Sequence, residues 1–114
     1  GSYVREYFYV RDAVKAYLHL AEQMPSKTIC GEAFNFGTDE PLSVLELVDQ
    51  ILKAAGREDL KPKILNEARH EIPKQYLDCT KARRVLDWSP AYTIADGLAE
   101  TLKWYRDWLK AAQA

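Results

Sequence analysis

The clearest helical pattern in the chain lies between residues 43 and 56. Ser43 is followed three residues later by Glu46, so the hydroxyl and the carboxylate are spaced to satisfy each other's free backbone donors in a capping box. Gly56 supplies the left-handed residue that commonly ends a helix. Between these signals the apolar positions follow the period of an amphipathic helix and form one stripe: Val44, Leu47, Val48, Ile51, Leu52 and Ala55.

The same signals predict three further helices. Asp12 is expected to cap a helix that runs to residue 24, with apolar positions at 13, 14, 17, 18 and 21. Thr80 is expected to cap a short helix. Thr93 and Asp96 form a second capping pair. The helix behind this pair carries a stripe that we expect to be core: Ile94, Leu98, Leu102, Tyr105 and Leu109, flanked by Trp104 and Trp108.

Short strands are predicted between these helices. Residues 5–10, 33–37 and 62–65 are rich in aromatic or β-branched side chains or form short apolar runs. Residues 66–75 are polar and contain a proline, so we expect a loop there, followed by a brief extended segment at 76–78. The order of elements indicates an α/β fold, a small mixed domain of short strands and about four helices.

Length and charge limit the possible functions. The chain has 114 residues, which is the size of one domain, 1–114, and its formal net charge is −1. We therefore expect no nucleic-acid partner and no membrane partner, because both favour a surplus of positive charge. The N-terminus lacks the pattern of a signal peptide, which favours a cytoplasmic location. A local surplus does occur at residues 57–84, with 8 basic and 5 acidic side chains.

The sequence shows little chemistry of its own. Cys30 and Cys79 lie far apart and in no metal-ligand spacing, so we expect two reduced, largely buried thiols and no metal site. There is no G-x-G-x-x-G turn, P-loop or G-x-S-x-G motif. Taken alone, these observations support only an α/β domain with a basic, loop-rich stretch.

A family resemblance adds to this interpretation. Six segments, in order, resemble motifs of the extended short-chain dehydrogenase/reductases, in the branch of NAD-dependent sugar-nucleotide epimerases and dehydratases. They are the segments 4–14, 31–37, 42–44, 70–82, 86–90 and 97–105. The His70-Glu71 spacing before Leu77-Asp78 is most similar to CDP-glucose 4,6-dehydratases, with GDP-mannose 4,6-dehydratases and UDP-sugar epimerases close behind.

The resemblance implies that the chain is the C-terminal substrate lobe, which in the family packs on an N-terminal Rossmann domain. The glycine-rich dinucleotide turn and the Tyr-x-x-x-Lys pair of the family are not in this sequence. We therefore expect the chain alone to be inactive, to hold no catalytic residue and to bind no cofactor, with NAD or NADP used by the parent enzyme. The expected partners are a nucleotide-diphosphate sugar and the missing Rossmann domain.

Six residues are candidates for substrate binding under this resemblance. Arg5 and Arg69 are expected to bind the diphosphate, since a guanidinium presents a planar fork to phosphate oxygens. Glu71 matches an acidic position that accepts hydrogen bonds from ribose hydroxyls, and His70 could donate to phosphate or sugar. The other two are Tyr7, which would flank the nucleotide, and Asn35, which would bind substrate or brace its loop.

Alternatives remain open at this point. Arg5 could instead be a surface residue paired with Glu6 or Asp12, and Arg69 a solvated loop residue. The whole chain could be a free-standing interaction module that keeps the fold without catalysis, or an independent nucleotide-binding protein. We expect a monomer unless exposed apolar surface forces association.

Overall fold

The computed structural model describes residues 1–25, 28–65, 67 and 70–112. Within these residues, four helices and three short strands form an α/β domain, which confirms the predicted fold class. The elements follow one another in the order β1 (Val4–Glu6), α1 (Val10–Gln23), β2 (Pro41–Ser43), α2 (Val44–Ala55), β3 (Lys74–Gln75), α3 (Thr80–Leu86) and α4 (Ile94–Ala112).

The sheet has the strand order β2-β1-β3, so β1 lies at its centre. β1 is antiparallel to β2, with Val4 opposite Ser43, and parallel to β3, with Arg5 opposite Gln75. The Val4 amide also donates to the carbonyl of Pro73 at 2.9 Å. This pairing brings residues 71–75 alongside the first few residues of the chain.

The predicted strands were only partly correct. The first strand is shorter than residues 5–10, because Val10 already begins α1. Residues 33–37 and 62–65 are not strands. The extended segment predicted at 76–78 corresponds to β3, which lies two residues earlier, at the end of the segment 66–75 that was predicted to be a loop. A strand exists only beside a partner, and no described segment pairs with 33–37 or 62–65.

The buried core lies between α1, α3 and the turn that follows α3. In the part of the chain that the structure describes, it consists of five side chains: Ala16, Ile29, Ala82, Leu86 and Trp88. Phe8 and Phe36 meet the Trp88 ring edge to face, with centroids 5.8 and 5.0 Å away, an arrangement that aromatic quadrupoles favour. The aromatic residues of the predicted 33–37 strand therefore serve as packing groups.

Both predicted capping pairs are confirmed. Glu46 Oε2 accepts the Ser43 amide at 2.7 Å and Ser43 Oγ accepts the Glu46 amide at 3.2 Å, which lowers the pKa of Glu46. Gly56 ends α2 with φ of 68°. The pair at the start of α4 repeats the arrangement, with the Asp96 amide donating to Thr93 Oγ1 at 3.1 Å. These contacts are local in sequence, which is why spacing alone identifies them.

The other two predicted caps were wrong. Tyr9, not Asp12, occupies the N-cap position of α1. Asp12 is 2% exposed, and its carboxylate accepts the amides of Ala91 and Tyr92, each at 3.0 Å. Thr80 is the first residue of α3, not its cap. The Asp78 carboxylate accepts the Thr80 amide at 2.9 Å, and this contact lowers the pKa of Asp78.

Two helices expose apolar faces, and the one on α4 was expected to be core. On α4, Trp104 is 59% exposed and Tyr105 52%, and on α1 Tyr17 is 76% exposed and Leu18 60%. The radius of gyration is 17.4 Å, against about 13 Å for a compact chain of this length. The chain is thus too open to cover these faces. No helix among the described residues is both long enough and apolar enough to span a bilayer.

We expect Asp12→Asn to lower the free energy of unfolding by about 1–3 kcal/mol, because an amide accepts one of the two buried N–H donors and leaves the other without a partner. Urea denaturation measures the change. Asp107→Asn is the matched control, since Asp107 forms an exposed pair with Lys103 at 3.3 Å; its cost should stay below about 0.5 kcal/mol. Equal costs for the two variants would contradict the assigned role of Asp12.

Candidate functional site

Arg5 is the best-positioned of the predicted site residues. It lies in the central strand β1, and its Nη1 donates to the carbonyl oxygens of Val4 at 2.8 Å and Ile72 at 2.9 Å. Its Nη2 donates to Glu71 Oε2 at 2.8 Å. The pairing with Glu6 or Asp12 that sequence reasoning considered is therefore wrong. Instead, the structure brings together Arg5 and Glu71, two of the six predicted residues.

The Arg5 side chain is partly accessible to solvent. The Arg5 side chain is 23% exposed and that of Glu71 47% exposed. The Tyr3 ring lies under the guanidinium, with its centroid 5.8 Å from Cζ, at cation–π distance. A groove of about 390 Å³ runs past this point and is lined by Arg5, Glu6, Phe8, Phe36, Gln75, Tyr76 and Leu77. Arg5 is the cationic side chain of this groove.

The remaining predicted residues lie in different surroundings. His70 is exposed, precedes Glu71 and has φ of 62°, a left-handed conformation that only a small fraction of non-glycine residues adopt. Tyr7 is half-buried directly after β1. Asn35 Nδ2 donates to the carbonyl of Asp78 at 3.2 Å, so it braces its loop. Arg69 falls outside the described residues.

Lys81, on α3, makes further contacts with the loop that contains Asn35. Lys81 Nζ donates to Glu32 Oε2 at 2.6 Å and to the carbonyl of Ala33 at 2.8 Å. Its ammonium also lies 4.7 Å from the centroid of the Phe34 ring. The contact with Lys81 lowers the pKa of Glu32. Together with Asn35, Lys81 fixes the segment that carries Phe36 into the groove wall.

Glu6 is the residue near the groove that sequence reasoning missed. Its Oε1 accepts the Asp39 amide at 2.6 Å and the Thr38 hydroxyl at 3.3 Å, and its Oε2 accepts the Leu77 amide at 3.1 Å. A Cβ added to Gly37 would collide with Oε1, so a larger residue there would force the Glu6 carboxylate to move. Glu6 thereby joins three segments that no local pattern relates.

One cluster has the residue types of a metal site. Ligand atoms of Glu6, Asp39 and Cys79 lie within 4.8 Å of one another. However, Asp39 is already paired with Arg83. Burial, assisted by the nearby Asp39 and Glu6 carboxylates, raises the pKa of the Cys79 thiol to about 11. The thiol therefore keeps its proton at neutral pH, whereas a metal ligand must be a thiolate.

The cysteines differ from the prediction in one respect. Both are free, as expected, and Cys79 is buried, but Cys30 is exposed. Cys30 is therefore accessible to a reagent in solution, whereas Cys79 is both buried and protonated.

We expect one rapid and one slow thiol in a reaction with an aromatic disulfide reagent at pH 7.5. Cys30 should react within seconds to minutes, and Cys79 only as the chain unfolds, since the thiolate is the reacting species. Absorbance of the released thiolate measures both phases. Cys30→Ser should remove the rapid phase alone. Two rapid phases in the native chain would contradict the buried, protonated state of Cys79.

The chain is similar in sequence and in fold to sugar-nucleotide epimerases and dehydratases. No protein-family model matches it. It is 33% identical over 107 residues to UDP-glucose 4-epimerase of Mycolicibacterium smegmatis, an alignment that covers 94% of this chain and 33% of that enzyme. Its fold is similar to the structure of UDP-glucose 4-epimerase from Thermotoga maritima with UDP-glucose, with a TM-score of 0.79 and 30% identity over 96% of this chain and 33% of that one.

The structure of a dehydratase also matches nearly the whole of this chain. The structure of dTDP-glucose 4,6-dehydratase from Bacillus anthracis, in complex with NAD, matches with a TM-score of 0.70 and 26% identity, covering 94% of this chain and 32% of that one. The architecture corresponds to the C-terminal lobe of these structures. The chain spans about a third of the length of these relatives.

Proposed function

Because this chain belongs to the extended short-chain dehydrogenase/reductases, in the branch of NAD-dependent sugar-nucleotide epimerases and dehydratases, we propose that it is the lobe that binds and positions a nucleotide-diphosphate sugar. Its contribution to catalysis is orientation. Holding the diphosphate fixes where the sugar projects, and small displacements of a reacting group cost large factors in rate. The proposed substrate follows the resemblance of the sequence, which leans to CDP-glucose or GDP-mannose.

One observation carries the proposal: the partly open guanidinium of Arg5. Among the described residues, Val4, Glu71 and Ile72 take three of its five N–H groups. Nε–H and one Nη2 proton have no hydrogen-bond partner among the described residues, and two such donors suit two oxygens of a diphosphate. Phosphate esters are acceptors only, so a site rich in donors and backed by a fixed cation favours them.

The chemistry of the reaction is assigned to the rest of the enzyme. NAD, when bound there, would take the hydride from the sugar C4 and return it. No tyrosine of this chain is followed four residues later by lysine, so we assign no proton transfer to it. The share of this chain is to hold the diphosphate and to exclude other orientations of the sugar.

The exposed faces of α1 and α4 are proposed to pack on that remaining part. Val10, Val14, Tyr17 and Leu18 recur at helical spacing on α1, and each is more than half exposed. Apolar stripes of this kind on a helix are normally covered by another element. The open shape of the chain, with extents of 51 × 41 × 20 Å, gives them no cover within it.

Calorimetric titration with UDP, dTDP, CDP and GDP tests the binding role. We expect one or more of these diphosphates to bind and Arg5→Ala to weaken that binding at least about tenfold, since it removes a charged hydrogen-bonding partner. Arg57→Ala is the matched control, because Arg57 forms a similar pair with Asp59 at 2.9 Å but lies outside the groove.

Two results would contradict the proposal. Binding that is equally weakened by Arg5→Ala and Arg57→Ala would reduce it to a general charge effect. Absence of binding, both in this chain and when it is joined to the Rossmann part of a relative, would favour the interaction-module alternative instead.

A pair of leucine variants tests the exposed face. Leu18 is 60% exposed and Leu86 is 1% exposed. We expect Leu86→Ala to cost about 2–5 kcal/mol of unfolding free energy and Leu18→Ala less than about 0.5 kcal/mol, as measured by urea denaturation. Sedimentation velocity should show less self-association for Leu18→Ala than for the wild type. A large stability loss in Leu18→Ala would mean that this face is already covered.

A further inference from the structure

We infer that Glu6 is a positioning residue for the ligand of Arg5, because its carboxylate holds the two walls of the groove beside Arg5 at a fixed separation. The inference deepens the proposed function and rests on it. Arg5 is assigned to the diphosphate, and the walls are assigned to the groups that the diphosphate carries. Glu6 acts on binding through the shape of the groove and not by contact with the ligand.

The two walls come from segments about forty positions apart in the sequence. One wall carries Phe36, and the other carries Tyr76 and Leu77. Glu6 lies between them in β1. Its Oε1 accepts the Asp39 amide at 2.6 Å, close behind Phe36 in the chain, and its Oε2 accepts the amide of Leu77 itself at 3.1 Å. The separation of the walls therefore depends on where this one carboxylate lies.

The Glu6 carboxylate has little capacity left for a ligand. A carboxylate offers about four lone-pair sites, and three donors already use the two oxygens of Glu6: the amides of Asp39 and Leu77 and the Thr38 hydroxyl. Its negative charge would also repel a diphosphate held by the neighbouring Arg5. The presence of a carboxylate in this groove is therefore explained by the protein donors that it accepts.

Gly37 leaves the space that this arrangement needs. A Cβ at residue 37 would collide with Glu6 Oε1, so Gly37→Ala would move the carboxylate and keep its charge. The backbone of Gly37 lies outside the left-handed region, so alanine adds no backbone strain of its own. Glu6→Gln does the reverse: it keeps the length of the side chain, removes the charge and turns an NH₂ group toward an N–H donor. The two substitutions disturb the same contacts by different means.

Calorimetric titration of both variants with UDP, dTDP, CDP and GDP tests the inference. We expect Glu6→Gln and Gly37→Ala each to weaken diphosphate binding about fivefold or more, because the walls are no longer held in place. The double variant should bind no more weakly than the weaker single variant, since both substitutions release the same walls. The sign is decisive for Glu6→Gln, because loss of a negative charge beside an anion would by itself tighten binding.

Glu46→Gln is the matched control. It makes the same change in net charge and also removes a carboxylate that accepts a backbone amide, that of Ser43 at 2.7 Å, but Glu46 lies outside the groove. It should leave the affinity for diphosphates unchanged. Circular dichroism and thermal unfolding establish that each variant is folded at the temperature of the titration.

Amide hydrogen exchange of the ligand-free chain gives a measurement that needs no nucleotide. In the wild type, the Asp39 and Leu77 amides should exchange about tenfold or more slowly than in an unfolded chain, because both are hydrogen-bonded to Glu6. Glu6→Gln and Gly37→Ala should accelerate both amides, and Glu46→Gln should accelerate neither. The wild-type rates decide this part even if a groove variant does not fold.

The outcomes separate this inference from the proposed function. Unchanged or tighter binding by Glu6→Gln, additive losses in the double variant, or unprotected Asp39 and Leu77 amides in the wild type each overturn the positioning role. If diphosphates still bind the wild type through Arg5 in that case, the proposed function stands. Absence of diphosphate binding by the wild type, alone and joined to the Rossmann part of a relative, overturns both, and protected amides would then leave Glu6 a purely structural role.

Discussion

The placement of β1 at the centre of the sheet is the constraint on which the rest of the structure depends. A three-residue strand gives few ladder hydrogen bonds, yet its two neighbours come from residues 41–43 and 74–75. Side chains of β1 add further hydrogen bonds: Arg5 donates to residues 71 and 72, and Glu6 accepts from residues 38, 39 and 77. The same strand therefore builds the fold and the candidate site.

Local signals in the sequence predicted the helices better than the strands. The capping pairs at Ser43 and Thr93 need only residues three positions apart, so spacing is sufficient. Asp12 has the same residue type but bonds to Ala91 and Tyr92, nearly eighty positions away. Strand formation also depends on distant partners, which explains why residues 33–37 were assigned to a strand and are not one.

Part of the candidate site was also predicted, but not from local signals in the sequence. No local pattern marks Arg5; the resemblance to a family of nucleotide-sugar enzymes did. That resemblance gave Arg5 and Glu71 separate contacts with a ligand, and it did not reveal that they contact each other. The amphipathic stripes were likewise visible, but whether a stripe is covered depends on elements outside the local sequence.

Burial is concentrated on one side of the chain, and this has a consequence for its motions. No residue of α2 is fully buried over Val44–Ala55, and α4 buries Gly97 alone over Ile94–Ala112. α1 and α3 hold the Ala16–Leu86–Trp88 core. Amide hydrogens of α2, and those of α4 beyond Gly97, should thus exchange with solvent through local openings. Those of α1 and α3 should exchange only when the whole chain unfolds. Phe8, which packs on that core, places β1 beside the slow-exchanging half, so the strand that carries Arg5 should keep its shape while α2 and the end of α4 open and close.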